Sequence, residues 1–66
     1  MDDKTRELIA LGAAVAANCH PCVKYHLSKA RTLNLSDQDI QDALEIGRRV
    51  RTGAADEMDS LIQEIG

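Results

Sequence analysis

The sequence predicts an all-α fold, a small bundle of short helices forming one domain over residues 1–66, and it predicts self-association. Three observations carry this. Apolar residues recur at helical spacing, as in Leu8, Leu11 and Val15, while no run alternates apolar with polar as a half-buried strand would. Alanine appears nine times, and Tyr25 is the only aromatic. A chain of 66 residues without Phe or Trp buries little area per residue, so a second subunit is the expected source of further burial.

Each helix has its own signals. Asp2 or Asp3 can cap a first helix running to about Asn18, whose faces away from the leucine stripe carry Ile9, Gly12, Ala13, Ala14, Ala16 and Ala17. Small residues on every side let neighbouring backbones approach closely, which suits a helix buried on more than one face. Pro21 fits the first turn of a second helix, where its missing N–H costs nothing. That helix runs through Val23, Leu27 and Ala30 to about Leu33, with Asn34 in the left-handed closing position. Ser36 caps a third helix, with Asp39 three residues on as a weaker form of the capping box. Ile40, Ala43, Leu44, Gly47 and Val50 share one face of it, and Glu45 and Arg49 pair at i,i+4 on the solvated side. Gly53 interrupts the pattern, and Met58, Leu61, Ile62 and Ile65 belong to a short fourth helix.

Charge narrows the function classes. Eight basic against eleven acidic side chains give a net charge of −3, opposite in sign to what a phosphate-binding surface needs, so no nucleic-acid partner is expected. The uncharged run Leu8 to Val23 falls short of the roughly 20 residues of a membrane-spanning helix, and Asn18, His20 and Pro21 interrupt it. The leader Met1 to Glu7 is slightly acidic, unlike the basic start of a signal peptide. The expectation is a soluble, cytoplasmic protein that does not engage a membrane.

The chemically informative stretch is Cys19-His20-Pro21-Cys22, followed by His26. Two cysteines at this spacing at a helix start can close a small disulfide ring. The positive end of the helix dipole there favours thiolate over thiol. Cys22 and His26 lie at i,i+4, one above the other, so the imidazole can accept the thiol proton. His20, inside the ring, can add a second positive charge. The same residues suit other roles. Cys19, Cys22 and His26, with His20 or Glu7 as a fourth ligand, form a candidate zinc set, although no further Cys or His follows His26. The cysteines can also be two buried small hydrophobes.

Glu7, Cys19 twelve residues later, Cys22 three after that and His26 four after that resemble the E…C-x-x-C…H signature of the alkylhydroperoxidase D-like family, within the carboxymuconolactone decarboxylase superfamily. The alanine-rich helix before the cysteines, Tyr25-His26, and Leu35-Ser36-Asp37 opening the next helix are similar too, so the likeness spans residues 5 to 60 or so. The resemblance implies an all-α fold, a homo-oligomer (a trimer or hexamer), and a cysteine-based redox enzyme with no cofactor beyond a redox-active Cys19–Cys22 disulfide. It also implies roles: Cys22 attacks a peroxide, Cys19 resolves the sulfenic acid, His26 accepts the proton, and Glu7 orients or charge-balances the imidazole. The implied partners are a peroxide or disulfide substrate and a separate dithiol reductant protein; in such thiol–disulfide exchange the more exposed thiol is the usual entry point, and Cys19 is expected to be that thiol. Where some peroxidase members carry a His just before the second cysteine, this chain has Pro21, with His20 one position earlier.

The reading is therefore a thiol–disulfide oxidoreductase with a possible peroxide or alkyl hydroperoxide reductase activity. Its rivals are a zinc module on Cys19, Cys22 and His26, and a carboxymuconolactone decarboxylase-like enzyme, whose chemistry has no need of the C-x-x-C pair. Glu7 poses a geometric question. At about 1.5 Å per residue it lies roughly 16 Å back from Asn18, whereas His26 lies only about 7 Å into the next helix. Contact then requires a crossing angle or a neighbouring subunit; failing both, Glu7 simply complements the dipole of its own helix start. Tyr25 reads as a packing anchor with a wet hydroxyl, Arg48, Arg49 and Arg51 as a salt-bridged face, and Met1 and Met58 as core gap-fillers or surface residues.

Overall fold

A computed structural model describes all residues, Met1–Gly66, as three helices without a strand: α1 (Asp3–Ala16), α2 (His20–Thr32) and α3 (Asp37–Ile65). The caps explain where each begins. Asp2 Oδ1 accepts the Thr5 N–H at 2.7 Å at the start of α1, and Ser36 Oγ accepts the Asp39 N–H at 3.1 Å at the start of α3. The amide hydrogen bond holds the Asp2 carboxyl below its ordinary range. A depressed folded-state value means that this cap contributes fully above the ordinary carboxylate range and is lost as the pH falls from there through the lowered value.

α1 and α2 end in the same way. Asn18 and Asn34 both take left-handed φ values, 55° and 58°. At the first end the Asn18 N–H donates to Val15 O and the Cys19 N–H to Ala14 O; at the second, Asn34 donates to Arg31 O and Leu35 to Ala30 O, all at 3.0–3.1 Å. These are Schellman closures, with asparagine supplying the left-handed residue that is usually glycine. Asn34 was expected in that position. The sequence pattern puts Asn18 at the tail of the first helix, but the helix stops two residues earlier and Asn18 makes the turn.

The expected fourth helix does not exist as a separate element. α3 continues through Gly53 for 29 residues. A glycine in a helix interior costs about 1 kcal/mol relative to alanine, which weakens a helix without ending it. Gly53 faces open space and its φ is not positive, so the chain has no reason to turn there.

α1 is the central helix, packed against α3 on one side and α2 on the other. Leu11, Ala30, Ile40 and Ala43 form the core, with Leu8, Val23, Leu27, Leu35 and Leu44 packed around it. α1 and α3 meet backbone to backbone. A Cβ on Gly47 would overlap the Gly12 carbonyl oxygen and stand 2.8 Å from the Val15 Cβ, and one on Gly12 would stand 3.1 Å from the Ala43 oxygen. Beside this crossing runs a shallow apolar depression floored by Gly12, Ala13, Ala16, Ala17, Ala43 and Gly47 and edged by Ile9, Ile46 and Val50. Val50, expected on the buried face, is exposed at that edge. Beyond the crossing, the second half of α3 projects past the other helices. The molecule is accordingly 49 Å long and 20 Å wide, and Met58, Leu61, Ile62 and Ile65 have no partner within the chain.

Two glycine substitutions distinguish the crossing from the projecting segment. Gly47→Ala should destabilise the fold by about 1–3 kcal/mol, because the obstacle is backbone and cannot swing aside. Gly53→Ala should be neutral or stabilising by up to about 1 kcal/mol. Chemical denaturation at matched chain concentration measures both, and equal effects at the two positions would contradict the backbone contact.

Candidate functional site

The site lies where the first Schellman turn delivers the chain into α2. Cys19 closes α1 by donating its N–H to Ala14 and opens α2 by accepting the Val23 N–H on its carbonyl at 3.0 Å. As the N-cap of α2 it lacks the side-chain oxygen of a usual cap. Its sulfur instead bonds to Cys22 in the first turn of the helix; the two Cα atoms are 5.2 Å apart. This arrangement places Cys22 among the free N–H groups at the positive end of α2, where a thiolate is favoured once the disulfide opens. His20 and Pro21 take the intervening first-turn positions, and both are exposed.

Across the helix pair, His26 Nδ1 donates to Glu7 Oε1 within the same chain. The carboxylate is an acceptor only, so the bond assigns the proton to Nδ1 and leaves Nε2 as the free ring nitrogen. Glu7 is 4% exposed and is the buried charged residue of the chain. Its second oxygen, Oε2, stands 3.8 Å from Lys29 Nζ. Tyr25 sets the edge of its ring against His26 with the ring centres 5.0 Å apart, and it is itself 60% exposed, so it does not anchor the core.

The helix ends answer the Glu7 question. With α1 stopping at Ala16 and α2 starting at His20, Glu7 lies about 13–14 Å from the turn and His26 about 9 Å from it. Two long side chains bridge the remaining difference. Glu7 therefore sits beyond the first turn of α1 and does not cap the dipole. It belongs to the buried stripe Glu7, Leu11, Ala14, at i, i+4 and i+7. An acid on that stripe was the signal in the sequence, because an unpaired carboxylate is not buried among alanines and leucines without a partner.

Two other residues matter to the site and were not singled out for it. Lys29 follows His26 by three positions and Cys22 by seven, so all three share one flank of α2. Arg51 of α3, read from sequence only as part of a salt-bridged face, donates from Nη1 to Asn18 Oδ1 at 3.1 Å and ties the turn before Cys19 to the long helix. Arg48 and Arg49 do form the expected face, both pairing with Glu45. Those guanidinium groups hold the Glu45 carboxyl below its ordinary range, Arg48 contributing most. For the zinc reading, no group of three or more His, Cys, Asp or Glu side chains converges on a point that could hold a metal. Cys19 and Cys22 are bonded to each other, and the Nδ1 of His26 is engaged by Glu7. No helix is long and apolar enough to cross a membrane.

Comparison with known proteins adds a family assignment. The family model described as the carboxymuconolactone decarboxylase family matches residues 1–61. Among curated proteins, "Uncharacterized protein 4 in cox locus" of Paracoccus denitrificans is 31% identical over 55 residues, covering 83% of this chain and 50% of that protein. The chain thus spans about half the length of that relative. No solved structure matches it.

Thiol labelling reads the disulfide directly. Protein purified without reductant should take no alkylating label, and after reduction should take two per chain by intact mass. Shielded thiols that come free only with a chelator, releasing a stoichiometric metal, would favour the zinc module.

Proposed function

The chain belongs to the carboxymuconolactone decarboxylase family, and from that premise we propose that it is a thiol–disulfide oxidoreductase that reduces peroxides or alkyl hydroperoxides through Cys19 and Cys22. The observation that carries this reading is the bonded cysteine pair at the start of α2, one turn from an imidazole held by a buried carboxylate. The chemistry that names the family needs no disulfide, so the cysteines favour redox work over lactone decarboxylation.

In the reduced protein, His26 Nε2 takes the Cys22 proton. Its Nδ1–H stays on Glu7, which stabilises the imidazolium that results, as the buried acid does in other His–carboxylate pairs. The Cys22 thiolate attacks one peroxide oxygen, the O–O bond breaks, and the leaving alkoxide or hydroxide takes the proton from His26. Cys22 is now a sulfenic acid, oxidised by two electrons. The Cys19 thiolate attacks the Cys22 sulfur, the S–O bond breaks, and hydroxide leaves as water after protonation. The cycle closes when a dithiol reductant attacks the Cys19 sulfur and expels the Cys22 thiolate. The reductant's second thiol then releases Cys19 and leaves the reductant as a disulfide. The two electrons given to the peroxide are restored in that exchange.

A second copy of the chain is part of the same reading. Seven of 66 residues are buried, and the apolar depression beside the Gly12–Gly47 crossing lies open next to the uncovered stripe of α3. A homo-oligomer covers these surfaces, and the cytoplasm, where dithiol reductants are maintained, suits the cycle.

Peroxide consumption with dithiothreitol as reductant tests the chemistry. Cys22→Ser should reduce it to background. Cys19→Ser should retain a single turnover and leave a sulfenic acid that dimedone traps on Cys22. Full activity in Cys22→Ser would overturn the assignment of the attacking thiol. Sedimentation at micromolar concentration should give a mass above one chain, and a monomer would remove the oligomer from the reading.

A further inference from the structure

The Glu7 carboxylate has a different neighbour at each oxygen, a hydrogen-bonded imidazole at one and an ammonium at ion-pair distance at the other. Oε1 accepts from His26 Nδ1, and Oε2 faces Lys29 Nζ at 3.8 Å. The last torsion of a glutamate is broad and roughly two-fold, so rotamer preference alone does not fix the plane of the carboxylate. One hydrogen bond leaves that plane free to turn about the bonded oxygen, and a cation beside the other oxygen biases it through charge. Within the chain Lys29 is the only group that meets Oε2. The ion pairs involving α3 run from Arg48 and Arg49 to Glu45, away from this carboxylate.

We propose that Lys29 is a positioning residue for the redox site: its ammonium draws Oε2 of the Glu7 carboxylate toward itself, which favours the orientation in which Oε1 stays on His26 Nδ1 and Nε2 remains the ring nitrogen available to Cys22. The Cys22, His26, Lys29 line at i, i+4 and i+7 places the redox sulfur, its base and this cation on one flank of α2, opposite the carboxylate of α1. Lys29 touches no reacting atom; it acts through Glu7 and then through His26. Its side chain is 51% exposed, so its effect is graded. The alternative is that Lys29, like Arg31, only complements the last turn of α2, where both reside.

The inference rests on the redox reading, and two readouts on the reduced full-length chain keep them separable. The first is the nitrogen NMR signal of the His26 ring, which reports whether the proton is held on Nδ1. The second is the rate of Cys22 alkylation by iodoacetamide against pH, with the modified residue mapped by peptide mass. In Lys29→Met the His26 ring should lose its single Nδ1–H form and exchange between tautomers. Cys22 alkylation at neutral pH should fall about two- to fivefold, the size of a half-exposed ion pair's contribution. Lys29→Arg should restore both, and Arg31→Met should change neither. An unchanged His26 signal in Lys29→Met, or an equal change in Arg31→Met, overturns the proposal. A wild-type Cys22 that alkylates no faster than a free cysteine peptide counts instead against the peroxidatic reading, and the His26 signal still decides the role of Lys29.

Discussion

The close approach of α1 and α3 at Gly12 and Gly47 is the constraint on which the rest of the molecule depends. Two helices separated by side chains would pack farther apart than two whose backbones touch. At this crossing there is no room for even one Cβ on Gly47. The short distance lets a core of Leu11, Ala30, Ile40 and Ala43 close around α1 without a single aromatic. Because α1 lies between its neighbours, the face opposite the crossing is free to meet α2. That face carries Glu7 to His26. The same closeness has a consequence for the surface: a core built from small residues is soon filled, and much of the apolar side of α3 is left over.

The site is built by backbone geometry more than by side-chain recruitment. Asn18 closes α1 in a left-handed turn, and Arg51 holds that turn from α3. Cys19 ends one helix and starts the next, so its sulfur is positioned by hydrogen bonds of two helices rather than by packing. The cysteine pair thereby sits at the positive end of α2, and His26 and Lys29 follow along the same flank. The single buried carboxylate is placed against this row of cationic and ionisable groups. Burial of a charge without partners is costly, and two partners offset that cost here.

Much of this was legible in the chain. The caps Asp2 and Ser36, the left-handed Asn34 and the proline in the first turn of α2 each have a local physical cause, and each lies where that cause places it. The C-x-x-C pair with His26 one turn on was legible for the same reason, since i,i+4 spacing on one helix is a local relation. The errors share a cause as well. Gly53 reads as a break because local propensity weakens a helix there. Propensity cannot say that nothing turns the chain, and Arg49, Arg51, Ala54, Ala55 and Glu57, all good helix formers within about a turn of Gly53, carry α3 on. Asn18 reads as part of the helix because nothing local separates the last turn from a Schellman closure that depends on where Cys19 points.

By itself the sequence determined the helical class, the caps, the redox-competent spacing of Cys19, Cys22 and His26, and a composition too poor in large apolar residues for a thick core. These follow from neighbours within about four positions, where the backbone's own periodicity fixes what can touch. Only the tertiary structure decided that Glu7 meets His26 within one chain, that Lys29 stands 3.8 Å from its second oxygen, and that Arg51 reaches the Asn18 turn. Those contacts join residues far apart in the sequence, on different helices or in the turn between them. They depend on where each helix stops and how closely the helices cross, and a shift of two residues at one helix end changes a reach by about 3 Å, the length of a hydrogen bond.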